Sequence, residues 1–359
     1  MKNSKEIIAQ DSTVLVGVDV HTAEHVVAVK VDGEIVCKGV KIAPMPEEWE
    51  RFMKRFPGCE VHVVYESGAH GYNLRDWLVE MGGEMKGVAI FVHIAPPCNV
   101  PVVPGKRGVK TDRRDGIRLI QAFEMRSFDD VVVPDKLQRA QRELVRTRLQ
   151  FKAEEKRLKL QIHGQVKFHG IERPICYKMW SDGWRKELVN NARLADGTGV
   201  VAMSLRMKLK ILREVEKVVE VVEKKIEGLY RSDSSSGQRA RKIAQQSGIG
   251  LTSAMVIATE VADFRAFRNS EAFASYIGLV PGERSSGETV RRGSITKAGN
   301  RRLRWIFVEC AWAWVRCSDA ARSRYERLRG RRGKRKAIVA MARRLAVRVY
   351  HSMVSEVVV

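Results

Sequence analysis

Near its start the chain sets β-branched residues in three short blocks, at 13–20 (TVLVGVDV), 25–31 (HVVAVKV) and 34–40 (EIVCKGV). Turn residues separate them, and Asp32-Gly33 is a hairpin dipeptide, so the blocks predict a three-strand meander. The pattern then alternates. A helix is expected over 46–56 with Pro46 in its first turn, a strand over 60–66 (EVHVVYE), a helix over 72–81 stopped by Gly82-Gly83, and a strand over 86–92. A Pro- and Gly-containing loop (95–110) leads to a helix over 112–125. Strands followed by alternating helices and strands predict a mixed α/β sheet with helices on its faces.

Beyond residue 135 the period changes to that of helices. Leu137, Leu144, Phe151 and Leu158 recur every seven residues, and so do Leu205, Leu212, Val219 and Ile226, interleaved with Val215, Val222 and Leu229. Such heptads predict two long helices, 135–168 and 201–230, paired as an antiparallel coiled-coil hairpin or with another subunit. The stretch around Trp180 and Asp182-Gly183-Trp184 reads as irregular, and 231–237 (RSDSSSG) as a polar linker. Further on, helices are expected around Gly248-Ile249-Gly250, over 271–277, 296–317 and 334–353, with a Gly/Ser/Arg loop at 281–294 (PGERSSGETVRRGS). Trp305, Trp312 and Trp314 fit a core. The basic run 329–336 (RGRRGKRK) fits a phosphate contact or a flexible loop. The expected organisation is an α/β domain at 11–130, a helical region at 135–232 and a mainly α domain at 238–355.

Charge sharpens this picture. Of 359 residues, 65 are Lys or Arg against 42 Asp or Glu, a net charge of +23, and the window from Arg284 to Arg348 carries +16 of it. That excess points to a polyanionic partner, with the C-terminal part as its main footprint. The six cysteines form no CxxC pair and no zinc spacing, as expected of free thiols in a reducing compartment. Residues 1–11 lack the apolar core of a signal peptide, and no apolar run reaches bilayer length, so a cytoplasmic protein without a membrane partner is expected.

Candidate chemistry falls in two places. Asp19 lies in or at the end of the first strand between two valines, Glu66 ends a later strand, and Asp112 and Asp115 stand three apart at the start of a helix. An acid in a buried strand is costly without a partner. Four such oxygens would suit one or two hard divalent ions, Mg²⁺ above all, clamping attacking and leaving phosphate oxygens. Singly, Asp112 and Asp115 also read as helix-capping charges. In the second half, Gly248 and Gly250 resemble a helix-hairpin-helix turn whose N–H groups face a phosphate; a plain helix–helix turn has the same sequence. Ser285-Ser286-Gly287 stands among Arg284, Arg291 and Arg292, which could bind a phosphate. From the residues alone, a solvated loop is the simpler reading.

Four stretches together resemble a known family. Gly17-Val18-Asp19-Val20-His21, Val64-Tyr65-Glu66-Ser67-Gly68 and Lys110-Thr111-Asp112-Arg113-Arg114-Asp115 are followed by a C-terminal path. That path runs from Gly248-Ile249-Gly250 through Tyr276-Ile277-Gly278-Leu279-Val280-Pro281 and Ser285-Ser286-Gly287 to Ile295-Thr296-Lys297-Ala298-Gly299-Asn300. In order and spacing these resemble the DEDD transposases of insertion sequences, relatives of Piv-type DNA invertases. Gly116 stands where the family usually has Ala, and Thr22 where Lys is common. The resemblance implies a RuvC-like (RNase H-like) N-terminal domain and a C-terminal domain whose serine attacks DNA. It makes Ser286 the expected nucleophile, with Ser285 as the alternative. Gly248, Gly250, Arg284, Arg291, Arg292, Lys297, Arg301 and Arg302 are the expected nucleic-acid contacts, and the resemblance further implies a multimer, a dimer or tetramer, and a guide RNA from the element's non-coding end.

Overall fold

The structure, a computed structural model, describes residues 11–85, 87–97, 112–286 and 289–355; for 112–114, 196, 283–286 and 289–292 it describes the backbone alone. The chain divides into two compact units, 1–133 and 134–359.

The first unit is a five-stranded mixed sheet. β1 (Thr13–Val20), β2 (His25–Val31) and β3 (Glu34–Ile42) form the expected meander, and β4 (Glu60–Glu66) and β5 (Ala89–Ala95) extend it. The order is β3-β2-β1-β4-β5, antiparallel from β1 to β3 and parallel across β1, β4 and β5. Strand alternation divides the side chains between two cores. Val14, Val16, Val18, Val61, Val63 and Tyr65 meet Trp49, Phe52 and Met53 of α1 (Pro46–Met53) and Leu74, Leu78 and Met81 of α2 (Asn73–Glu84). On the opposite face Leu15, Ala28 and Val64 meet Leu119, Ile120 and Ala122 of α3 (Asp112–Glu124).

Two boundaries differ from expectation. α2 runs through Gly82-Gly83 to Glu84, because both glycines hold helical geometry and Gly82 seats the last turn beside Ile90. β5 lies three residues later than expected, in parallel register with β4 from Glu60↔Ala89 to Glu66↔Ala95. The expected loop over 95–110 lies outside the described residues beyond position 97.

The second unit is mainly helical. α4 (Lys136–Phe168) and α6 (Val200–Arg231) pack antiparallel, joined by Arg148–Glu223, Lys159–Glu216 and Lys208–Gln165 contacts along their length. Leu205, Leu212, Val219 and Ile226 are buried as their spacing predicts. Leu137 is exposed instead: there α4 turns Gln138, Gln141 and Val145 inward, and Gln138 bonds to another helix. The stretch expected to be irregular contains α5 (Asp182–Asp196), capped by Ser181. It buries Trp184, Leu188 and Ala192 against α4 and α6.

The expected linker 231–237 is a helix cap: Ser234 accepts from Gly237 N–H to start α7 (Ser235–Ala244). α8 (Leu251–Glu260) is buried along most of its length, packed against α4, α6, α7 and α10 (Arg301–Cys317), while α11 (Asp319–Val354) packs on α10 and α9 (Ser270–Ile277). The run 329–336 is helical rather than a loop, interrupted only at Gly333, whose φ of 76° α-helix cannot hold. Trp314 is core and Trp312 half-buried, but Trp305 is half exposed. The loop expected over 281–294 is a hairpin of β6 (Pro281–Ser286) and β7 (Thr289–Ile295). Thr, Val and Ile in its second arm carry the strand preference that the Gly/Ser/Arg content obscures. Among the described residues no helix is long and apolar enough to cross a membrane.

Candidate active site

Parallel pairing of β1 and β4 runs in register to Val18↔Tyr65, so the next residues of the two strands, Asp19 and Glu66, end side by side. Both continue the alternation of Gly17 and Val64, on the face that α3 covers. What lets α3 lie there is a glycine pair. A Cβ on Gly17 would stand 1.9 Å from the carbonyl oxygen of Gly116, and one on Gly116 would stand 2.8 Å from that of Gly17. Backbone touches backbone, and the first turn of α3, carrying Asp112 and Asp115, is brought to the strand ends.

Asp19 Oδ2 shares a 3.1 Å hydrogen bond with His21 Nε2. Asp115 Oδ1 accepts from Arg118 Nη1 at 2.7 Å, while its Oδ2 is buried with no hydrogen-bond partner among the described residues. The Asp112 side chain lies outside what the structure describes. Among the described residues no three His, Cys, Asp or Glu side chains converge closely enough to cage a metal. The candidate ligands at the strand ends and the start of α3 are hard carboxylate oxygens, and Asp115 Oδ2 is buried and unsatisfied among the described residues, a costly state that a cation would relieve.

On the other face of the sheet His25, at the start of β2, is buried and accepts from Trp49 Nε1 at 3.0 Å. Burial, with His70 and His21 nearby, lowers its pKa to about 4.

In the second unit, Ser286 stands opposite Thr289 and Ser285 opposite Val290 at the end of the β6–β7 ladder, with Arg284 opposite Arg291 and Glu283 opposite Arg292. The ladder therefore brings the backbone of both candidate serines and all three arginines into four consecutive rungs. Their side chains lie outside the described set. Lys297, Arg301 and Arg302 are exposed just beyond the hairpin. Gly248 serves packing: at φ 89° its Cα lies against Trp314, where a Cβ would stand 2.6 Å from that residue's backbone nitrogen. Gly250 begins α8, with open space around it.

The base of the hairpin is strapped to its surroundings. Gly278 and Gly299, both with positive φ, bring their chain segments so close that a Cβ on either would fall about 2 Å from a backbone oxygen of the other segment. Asn300 N–H donates to Tyr276 O at 2.9 Å, and Arg304 Nη1 to Ile277 O at 2.9 Å. Asn300 Oδ1 caps α10, accepting from Arg302 and Leu303 N–H. Its Nδ2 donates to Glu260 Oε2 at 3.0 Å.

Glu260 is the centre of a buried network that the sequence reading missed. It is 3% exposed at the C-terminus of α8, where the helix dipole opposes a carboxylate. Arg146 grips it through Nε at 2.7 Å and Nη2 at 2.9 Å. Burial pushes the carboxyl pKa up, but the Arg146 and Asn300 bonds and the charges of Arg146 and Arg142 outweigh it and hold the group ionised, below the usual value. Gln138 and Arg142 satisfy the end carbonyls of α8, at Val261 and Thr259. The only signal in the chain was an acid inside an apolar helix, ATEVADF, with its partner over a hundred residues away.

Residues 228–326 match the family model described as Transposase IS116/IS110/IS902 family. The transposase-named protein y4qE of Sinorhizobium fredii is 30% identical over 312 residues, which cover 86% of this chain and 73% of that protein. The insertion element IS110 43.6 kDa protein of Streptomyces coelicolor is 29% identical over 138 residues, 38% of this chain and 32% of its own. The transposase for insertion sequence element IS1328 of Yersinia enterocolitica is 30% identical over 97 residues, 27% of this chain and 28% of its own.

Proposed function

The chain belongs to the IS116/IS110/IS902 family of transposases, and from that premise we propose that it cuts and rejoins DNA through a serine nucleophile aided by a carboxylate-held divalent metal ion. The observation that carries this reading is the side-by-side ending of β1 and β4 with the first turn of α3 pressed onto them through Gly17 and Gly116. Strand order β3-β2-β1-β4-β5, with helices on both faces, favours an RNase H-like domain.

Asp19, Glu66, Asp112 and Asp115 would hold the metal. Their all-oxygen donor set suits Mg²⁺, and the unsatisfied Asp115 Oδ2 fits such a ligand. The chemistry a bound Mg²⁺ supplies is to offset charge developing on phosphate oxygens. Ser286, or Ser285 beside it, attacks the phosphorus: a serine–phosphate ester forms, one phosphorus–deoxyribose oxygen bond breaks, and the serine proton ends on the departing oxygen. The ester conserves the energy of the broken bond, so a second strand's hydroxyl can reverse the step and rejoin the DNA. Arg284, Arg291, Arg292, Lys297, Arg301 and Arg302 hold phosphates around that centre. We extend the same proposal to a guide RNA, bound by the basic second unit.

The test is incubation of labelled element-end DNA with protein, Mg²⁺ and RNA transcribed from the element's non-coding end, read on denaturing gels. A protein–DNA adduct is expected, lost in Ser286→Ala and in Asp115→Ala. Retention of the adduct in Ser286→Ala with its loss in Ser285→Ala would move the role to Ser285. Cleavage with no adduct would overturn the serine step in favour of a purely metal-dependent nuclease. Activity unchanged by omitting the RNA would remove the guide.

A further inference from the structure

Around α10 the large aromatic side chains are packed away: Phe273, Phe307, Trp314 and Tyr325 are all buried. Trp305, in the second turn of the same helix, is 50% exposed instead. A single exposed apolar residue needs no explanation by itself; its neighbours give it one. Arg301 and Arg302, in the turn before it, are exposed, and Arg301 shares its face of the helix at a spacing of four. That first turn holds no acid, so the helix dipole opposes both guanidiniums. Lys297, also exposed, holds φ 57°, a left-handed backbone that is costly for a residue with a side chain. Three cations and a strained backbone beside an open indole do nothing for folding, and they suit a polyanion that carries flat rings.

We propose that Trp305 stacks on an unpaired base of the DNA strand, while Lys297, Arg301 and Arg302 hold the phosphates on either side of that base. Every base has a π-face, so the contact selects for an unpaired base and not for a sequence. Glu309, exposed one turn further on, confines the basic patch to the start of the helix. The serine hairpin spans about 17 Å from its base rung, Pro281↔Ile295, to Ser286. The chain enters α10 from that base rung, so the stacked base lies some nucleotides along the strand from the phosphate that is cut. Holding one base out of the duplex there keeps the strand open beside the reacting phosphate.

The surroundings favour nucleic acid over a protein partner. Ile306 and Phe307 beside Trp305 are buried, so the indole stands alone among cations and not in an apolar patch of interface size. The inference rests on the reading of this chain as one that cuts DNA. Its test reads binding to uncut DNA without Mg²⁺, so it can fail while the serine adduct forms and hold where no adduct forms.

The test uses full-length protein and element-end duplexes in which a single mismatched 2-aminopurine is stepped along the strand away from the cut. Binding is expected to quench its fluorescence at one position, and Trp305→Ala to abolish that quenching. Trp305→Ala is also expected to weaken binding of that mismatched duplex about tenfold and to leave the fully paired duplex unchanged. Trp305→Phe should recover most of both signals, and Trp305→Leu, which keeps the apolar bulk without a π-face, should recover neither. Three results would each overturn the stacking. They are an equal loss on paired and mismatched DNA, a recovery by Trp305→Leu as full as by Trp305→Phe, which marks packing, and a loss confined to RNA transcribed from the element's non-coding end, which makes RNA the occupant.

Discussion

The two candidate halves of the chemistry are held in place by opposite means. In the first unit the carboxylates sit where strand register and a glycine–glycine contact put them. In the second unit the serine hairpin grows from a base tied to a buried ionic network around Glu260, Arg146 and Asn300. One site depends on how closely backbones approach; the other depends on charges that must stay paired out of water. The same kind of substitution should therefore fail differently in each.

The largest effect is expected at Glu260. Glu260→Ala leaves the Arg146 guanidinium half-buried without its carboxylate, and breaking one partner of such a pair costs about 3–5 kcal/mol. Chemical denaturation should show the loss in the second unit alone. Glu260→Ala together with Arg146→Met should recover part of it, since an apolar replacement removes the stranded charge. If the double variant is no more stable than the single, the hairpin does not owe its support to this charge pair and the contrast fails.

Gly17→Ala probes the other means. A methyl group 1.9 Å from the Gly116 carbonyl oxygen cannot be absorbed by a flexible side chain, so α3 must shift. A loss of about 3 kcal/mol is expected in the first unit, at the upper end for overpacking. DNA cleavage should fall even where the protein is still folded. Full cleavage activity in a folded Gly17→Ala protein would show that the seating of α3 does not matter to the site.

This difference in support also explains what could be read in advance. β1, β4 and α3 announce themselves through short-range pattern: β-branched alternation, an acid at each strand end, and Asp-x-x-Asp opening a helix. Gly116 stood out only as a departure from a family that usually has Ala there, and its reason is visible once Gly17 is seen against it. Glu260 was illegible because its partners come from α4 and the start of α10, and no local period marks a pair 114 residues apart. The hairpin was missed for a related reason, as Gly, Ser and Arg carry turn and charge signals that outweigh three strand-favouring residues. α5 was missed because Asp182-Gly183 resembles a turn, although Ser181 caps a helix there.

His25 separates the units by pH. Its folded pKa of about 4 lies below the unfolded value near 6.5, so the folded state binds fewer protons between those values. Stability from this group is fully present above pH 6.5 and is lost as pH falls toward 4, by about 2–3 kcal/mol. Melting of the first unit should show that slope, and His25→Phe should flatten it by about one proton. A second unit that destabilises first over the same range would place the sensitivity elsewhere.

Asn300 gives the smallest effect and the most direct reading of how the hairpin is held. Its side chain does two jobs with opposite ends: Oδ1 caps α10, and Nδ2 ties that cap to Glu260. Asn300→Asp keeps the cap but sets a second carboxylate against Glu260, whereas Asn300→Ala loses both contacts. Removing the cap costs about 1 kcal/mol and removing the hydrogen bond to a charged acceptor about 1 kcal/mol more. Asn300→Ala should therefore destabilise the second unit by about 2 kcal/mol at neutral pH. Asn300→Asp should be at least as costly there and should recover as pH falls toward 4 and the new carboxyl protonates. If the two variants keep the same order and spacing at both pH values, Asn300 acts as a cap alone, and the serine hairpin is held by its glycine straps rather than by the buried charge.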